Sequence, residues 1–134
     1  MIATISPGSS NFHAVDYNER KVAKGVARLL EMKNFGALGE IRKPTSDELT
    51  QFLMEYSSMN PRIQKAQFHV AISCKGHEMT EAQLLDFAHQ YLKEMGYAEP
   101  EQPWLIYSHN DTDNAHLHIV TSRVAPDGRK IQND

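Results

Sequence analysis

A chain of 134 residues is the size of one domain, and with 40% apolar and 23% charged residues it can build a core without the bias of a disordered, collagen-like or disulfide-built protein. Cys74 is the single cysteine, no apolar run approaches the roughly 20 residues that span a bilayer, and no leader pattern opens the chain, so a cytoplasmic protein without membrane insertion is expected. The net charge of −3 argues against a general affinity for polyanions, yet residues 20–43 carry seven basic side chains against two acidic ones, where an anion can approach.

Ile2–Ile5 reads as a short strand, and Pro7–Asn11 as a loop of turn residues and candidate N-caps. Phe12–Lys24 predicts a helix, with Gly25 just past its end. Val26–Lys33 fits helix or strand, and the separating Gly25 favours strand; residues 34–39 are loop. Thr45-Ser46-Asp47-Glu48 is a capping signature, and Leu49, Phe52, Leu53 and Tyr56 follow it at helical spacing until Asn60-Pro61. Phe68, Val70, Ile72 and Cys74 alternate with His69, Ala71 and Ser73 as in a half-buried strand, and Cys74 falls on its buried side. Thr80-Glu81-Ala82 opens a third helix, whose stripe is Leu84, Leu85, Ala88, Tyr91, Leu92 and Met95 and whose stop is Gly96. Pro103–Ser108 is a strand, Asn110–Asn114 a polar turn, His116–Val124 the last strand and Pro126-Asp127-Gly128 a second turn. This order predicts an α+β domain, residues 1–134, with a largely antiparallel sheet and helices mainly on one face. Gln132-Asn133-Asp134 supplies no closing element, and a piece of a longer protein is expected.

The chemistry concentrates in His109–Val120. Side chains two apart in a strand share a face, so His116 and His118 point one way and Leu117 and Ile119 the other. Leu117 and Ile119 call for a core, which predicts helices on their side and an open histidine face. The polar turn brings His109 across the hairpin from His116 and His118. Three neutral imidazoles make a facial set for a divalent cation with positions left for water or substrate. Ligand type favours Mn²⁺, Zn²⁺, Co²⁺ or Ni²⁺ over the oxygen-preferring Mg²⁺.

The pattern His109-x-Asp111-x4-His116-x-His118-Ile119-Val120 resembles the third motif of conjugative relaxases, the mobilisation nucleases of the HUH fold, and is most similar to that of Bacteroides-type mobilisation proteins. Gly8-Ser9-Ser10-Asn11-Phe12 followed by Ala14-Val15-Asp16-Tyr17-Asn18 is similar to their first motif, and Phe68–Ser73 and Gly128-Arg129-Lys130 add to the likeness. The resemblance implies an enzyme that nicks and rejoins one DNA strand at an origin of transfer, with Tyr17 as nucleophile and His109, His116 and His118 as ligands. It implies a divalent cation, Mn²⁺ or Mg²⁺ first and Zn²⁺, Co²⁺ or Ni²⁺ as alternatives. Single-stranded DNA is the implied partner, together with other mobilisation or secretion-channel proteins.

Tyr17 lies about 200° round the helix from Val15, off the Val15/Val22 stripe. Lys21 and Lys24, four and seven residues on, share its face and are expected at the DNA backbone. Position alone equally suits a surface tyrosine. Asp111 either orients an imidazole, accepts the tyrosine proton or makes a local turn bond. His69, on the histidine side of its strand, is an orienting group, a DNA contact or a plain polar residue. His13, His77 and His89 belong to no constellation and are expected in solvent. Two other functions fit parts of the pattern. A histidine phosphoesterase acting on RNA or nucleotides needs two His-x-Ser/Thr motifs, which His69-Val70-Ala71 and His118-Ile119-Val120 do not supply. A non-catalytic domain binding single-stranded DNA or metal would make Tyr17 dispensable.

Overall fold

The computed structural model describes residues 1–75, 78–112 and 114–131. The eight elements are β1 (Ile2–Ile5), α1 (His13–Ala23), β2 (Ala27–Lys33), α2 (Ser46–Ser57), β3 (Gln67–Ser73), α3 (Glu81–Glu94), β4 (Trp104–His109) and β5 (His116–Ser122). The strands form one antiparallel sheet in the order β1-β3-β5-β4-β2. His77, Asp113 of the expected turn and Gln132–Asp134 lie outside the described residues.

The local signals act as their chemistry requires. Thr45 and Thr80 each close a capping box, with Glu48 and Gln83 reaching back to the cap backbone. Gly25, at φ +80°, takes the left-handed turn that ends α1 and starts β2. The N-terminus of α1 is closed differently. Phe12, in the left-handed region at φ 53°, offers no side-chain cap. Instead the His13 amide donates to Asn11 Oδ1 (3.1 Å) and the Ala14 amide to Gln67 Oε1 (2.8 Å), a partner on β3. The preceding loop runs close over the residues that lead into the same strand, where a Cβ on Gly8 would meet the Lys65 carbonyl oxygen at 3.0 Å.

The placement of the helices corrects one expectation. Leu117 and Ile119, with Phe68, Val70, Ile72 and Ile106, pack under α3 alone, against Leu84, Ala88 and Leu92. Helices α1 and α2 share the opposite face, the histidine face, through Val15, Leu49 and Leu53. The reason is a second apolar set: Leu105 and Tyr107 of β4 and Val120 of β5 point to that side and need cover as much as Leu117 and Ile119 do. The sheet therefore has two helices on one face and one on the other. Its central strand β5 is buried on both sides from Leu117 onward. The histidines occupy the other end of the α1/α2 face, beyond the apolar patch.

Candidate functional site

Register brings the histidines together. His109 pairs directly with His116 across the β4–β5 hairpin, and His118 pairs with Ala71 of β3, one pleat from His69. Ring centroids of His109 and His118 are 3.9 Å apart and nearly parallel; His116 stands 5.1 Å from the first and 5.3 Å from the second. One ring nitrogen from each of the three lies within 4.8 Å of the others. His69, on β3, is hydrogen-bonded through Nε2 to Nδ1 of His118 at 2.8 Å.

Helix α1 lays Tyr17 over this group. Its ring centroid is 6.1 Å from His118, 6.4 Å from His109 and 6.5 Å from His69. Tyr17 is nonetheless 49% exposed, at the wall of a cavity of about 680 Å³ whose lining includes Pro7, His13, Arg20, His69 and His118. A smaller recess of about 190 Å³ reaches His109 and His116 from the far side. The exposed aromatic thus stands between buried imidazoles and an open cavity.

A family model, that of relaxases described as MobA/VirD2-like, nuclease domain, matches residues 17–134. The chain belongs to that family. The match spans the histidine cluster and starts at Tyr17. Comparisons with curated proteins and with solved structures give no significant match. As a relaxase nuclease domain the protein falls among the DNA-nicking enzymes of mobilisation, a family that binds single-stranded DNA and divalent metal. No helix among the described residues is long and apolar enough to cross a membrane.

The donor set of this relaxase fits a divalent cation. Burial, reinforced by the neighbouring His116, lowers His109 to a pKa of about 4; burial and the surrounding imidazoles lower His118 further. Both rings are therefore neutral near pH 7, the form that can ligate. His116 donates through Nδ1 to the Asn114 carbonyl (3.0 Å), so Nε2 is the nitrogen it can offer a metal. His118 has its Nδ1 engaged by His69, so the nitrogen at hand for a metal is Nε2. His69 is itself held neutral, with a pKa of about 4, by burial and then by His13.

Other expected residues fall into place unevenly. Lys21 shares the Tyr17 side of α1, its ammonium 5.5 Å from the ring centroid, but it is ion-paired with Asp111 instead of standing free for a phosphate. The hydrogen bond from Lys21 holds Asp111 below the usual carboxylate range, and Asp111 raises Lys21 in return. Asp111 Oδ1 also lies 3.8 Å from His116 Nε2, an electrostatic contact too long for a hydrogen bond. Lys24 caps the C-terminal end of α1, exposed and apart from the cluster. His89, expected in solvent, bonds to Glu31 (2.9 Å), which also accepts from Trp104 Nε1 (2.6 Å), on the α3 face away from the site. His13 is exposed and Cys74 buried, as expected. Arg123 stacks on Phe68, on the α3 side. Sequence reasoning missed Asn18, fully buried beside His109. Its signal was a polar residue in the Val15/Val22 stripe of an amphipathic helix.

Proposed function

We propose that this domain, residues 1–134, nicks and rejoins one DNA strand at an origin of transfer by transesterification through Tyr17, and so starts the mobilisation of a plasmid or integrative element. The observation that carries this reading is the position of Tyr17, an exposed phenol within 6.5 Å of three buried imidazoles, on the wall of a cavity. The Tyr17 oxygen attacks the scissile phosphorus, the new O–P bond links the protein to the DNA 5′ end, and the P–O3′ bond breaks to release a 3′ hydroxyl. The ester is conserved in the exchange, so the reverse attack by a 3′ hydroxyl rejoins the strand without ATP.

A divalent cation held by His109, His116 and His118 would offset the charge that develops on the non-bridging phosphate oxygens. Mn²⁺ or Mg²⁺ is the proposed ion, and Mn²⁺ suits the imidazoles better. Ionised Asp111 can accept the phenol proton and return it to the departing 3′ oxygen; His69 can do so only by giving up its hydrogen bond to His118. Lys21, beside the Tyr17 ring and paired with Asp111, can exchange that carboxylate for a phosphate as the DNA enters; Lys24 extends that basic edge. His69 orients His118 through their hydrogen bond.

The test is capture of DNA. A 3′-labelled single-stranded library of random sequence, incubated with the protein and Mn²⁺, should transfer label to the protein in a form that survives denaturant, and a chelator should abolish the transfer. The 3′ label is required because the strand that stays attached is the one beginning at the nick. Protein-bound label that forms equally well with chelator present would contradict the metal-assisted reading.

A further inference from the structure

We propose that Asn18 is a positioning residue of the metal centre, fixing which nitrogen of His109 is bare and tying the helix that bears Tyr17 to that ligand. The inference rests on the reading of His109 as a metal ligand.

The hydrogen bonds admit one assignment. Asn18 Nδ2 donates to the Ala14 carbonyl at 2.8 Å. A carbonyl only accepts, so the amide cannot be flipped, and Oδ1 is the atom 2.6 Å from His109 Nε2. An amide oxygen also only accepts, so His109 Nε2 carries the hydrogen. A neutral imidazole has one N–H, which leaves Nδ1 bare for a cation. Burial protects this arrangement: Asn18 is 0% and His109 3% exposed, so solvent offers little competition for Nε2.

The other two ligands are oriented from the sheet and its hairpin, His116 by the Asn114 carbonyl and His118 by His69. Asn18 differs because it belongs to α1 and immediately follows Tyr17. The same residue therefore sets a ligand and fixes the height of the nucleophile over it. Without an acceptor at Nε2, the His109 proton is free to move to Nδ1, the position that must be bare, so the loss of Asn18 Oδ1 falls on metal binding.

Asn18→Leu keeps the volume, removes the acceptor and suits the apolar stripe of α1; Asn18→Asp keeps an acceptor toward His109. Long-range ¹H–¹⁵N spectra of the metal-free protein should show His109 as the Nε2–H tautomer in the wild type and in Asn18→Asp, and a shift toward Nδ1–H in Asn18→Leu. By calorimetry, at a temperature where each variant is folded, Mn²⁺ affinity should fall about 10- to 100-fold in Asn18→Leu and stay within a few-fold of wild type in Asn18→Asp; both variants lose the bond to the Ala14 carbonyl, so lowered thermal midpoints in both are expected and do not separate them. A wild-type His109 protonated on Nδ1, or wild-type Mn²⁺ affinity in Asn18→Leu, would overturn the role of Asn18 and leave the metal reading standing. A wild-type protein that takes up no Mn²⁺ would overturn both.

Discussion

Burying imidazoles next to one another makes the fold sensitive to acid. His69 and His109 have pKa values of about 4 and His118 lies lower still, all because the charged form is desolvated. In the unfolded chain each returns to roughly 6.5. Above that pH both states hold the rings neutral and the difference has no effect. As pH falls from about 6.5 toward 4, the unfolded chain binds protons that the folded chain refuses, and stability is lost. The metal-free domain should therefore show a thermal midpoint that drops steadily between pH 7 and 4.5, and substitution of His69 by Gln should flatten that drop; a midpoint independent of pH over this window would contradict the burial. The convergence of His109, His116 and His118 was legible in the sequence because alternation in a strand and a hairpin turn place side chains by count alone; Tyr17, on a helix, stood out only through the family resemblance. Asn18 was not legible, since its partner lies 91 residues away; only its place in an apolar stripe marked it.

At the scale of the element, α1 is the part on which the site depends, because it carries both Tyr17 and Asn18. Capping boxes are written in four consecutive residues: Thr45–Glu48 is recognisable as one, while Thr80 reads only as a helix start and Gln83 closes its box in the structure. The start of α1 has no such local signature, since its cap is the Gln67 side chain of β3, 53 residues on. Gln67 is buried, so Gln67→Leu leaves the Ala14 amide without its acceptor at a site closed to water. The expected cost is about 1–3 kcal/mol in urea unfolding, together with a fall in DNA capture, since Tyr17 lies one turn further along. An unfolding midpoint equal to wild type would show that the helix start does not need β3. The strands were easier to read: the doubtful Val26–Lys33 segment is a strand because Gly25 breaks the helix before it.

Across the whole molecule, the sheet divides two cores, and the site sits where one of them gives way to polar residues. The second core is not legible in the sequence because Leu105, Tyr107 and Val120 lie in strands apolar at successive positions, whose two faces periodicity does not separate. Leu53→Ala beneath α2 and Leu92→Ala beneath α3 are both at fully buried positions. Each should lower stability by about 2–5 kcal/mol, measured from denaturant midpoints; a silent Leu53→Ala would mean that α2 does not seal the histidine face. That seal is what holds α1, and with it the phenol, against the three imidazoles. The most direct test of the arrangement is to map the covalent adduct formed with single-stranded DNA and Mn²⁺ by mass spectrometry, in the wild type and in Tyr17→Phe. One modified peptide, carrying Tyr17, is expected, and no adduct in Tyr17→Phe, whose fold and Mn²⁺ affinity stay at wild-type levels; an adduct on any other residue, or one that persists in Tyr17→Phe, would contradict Tyr17 as the nucleophile.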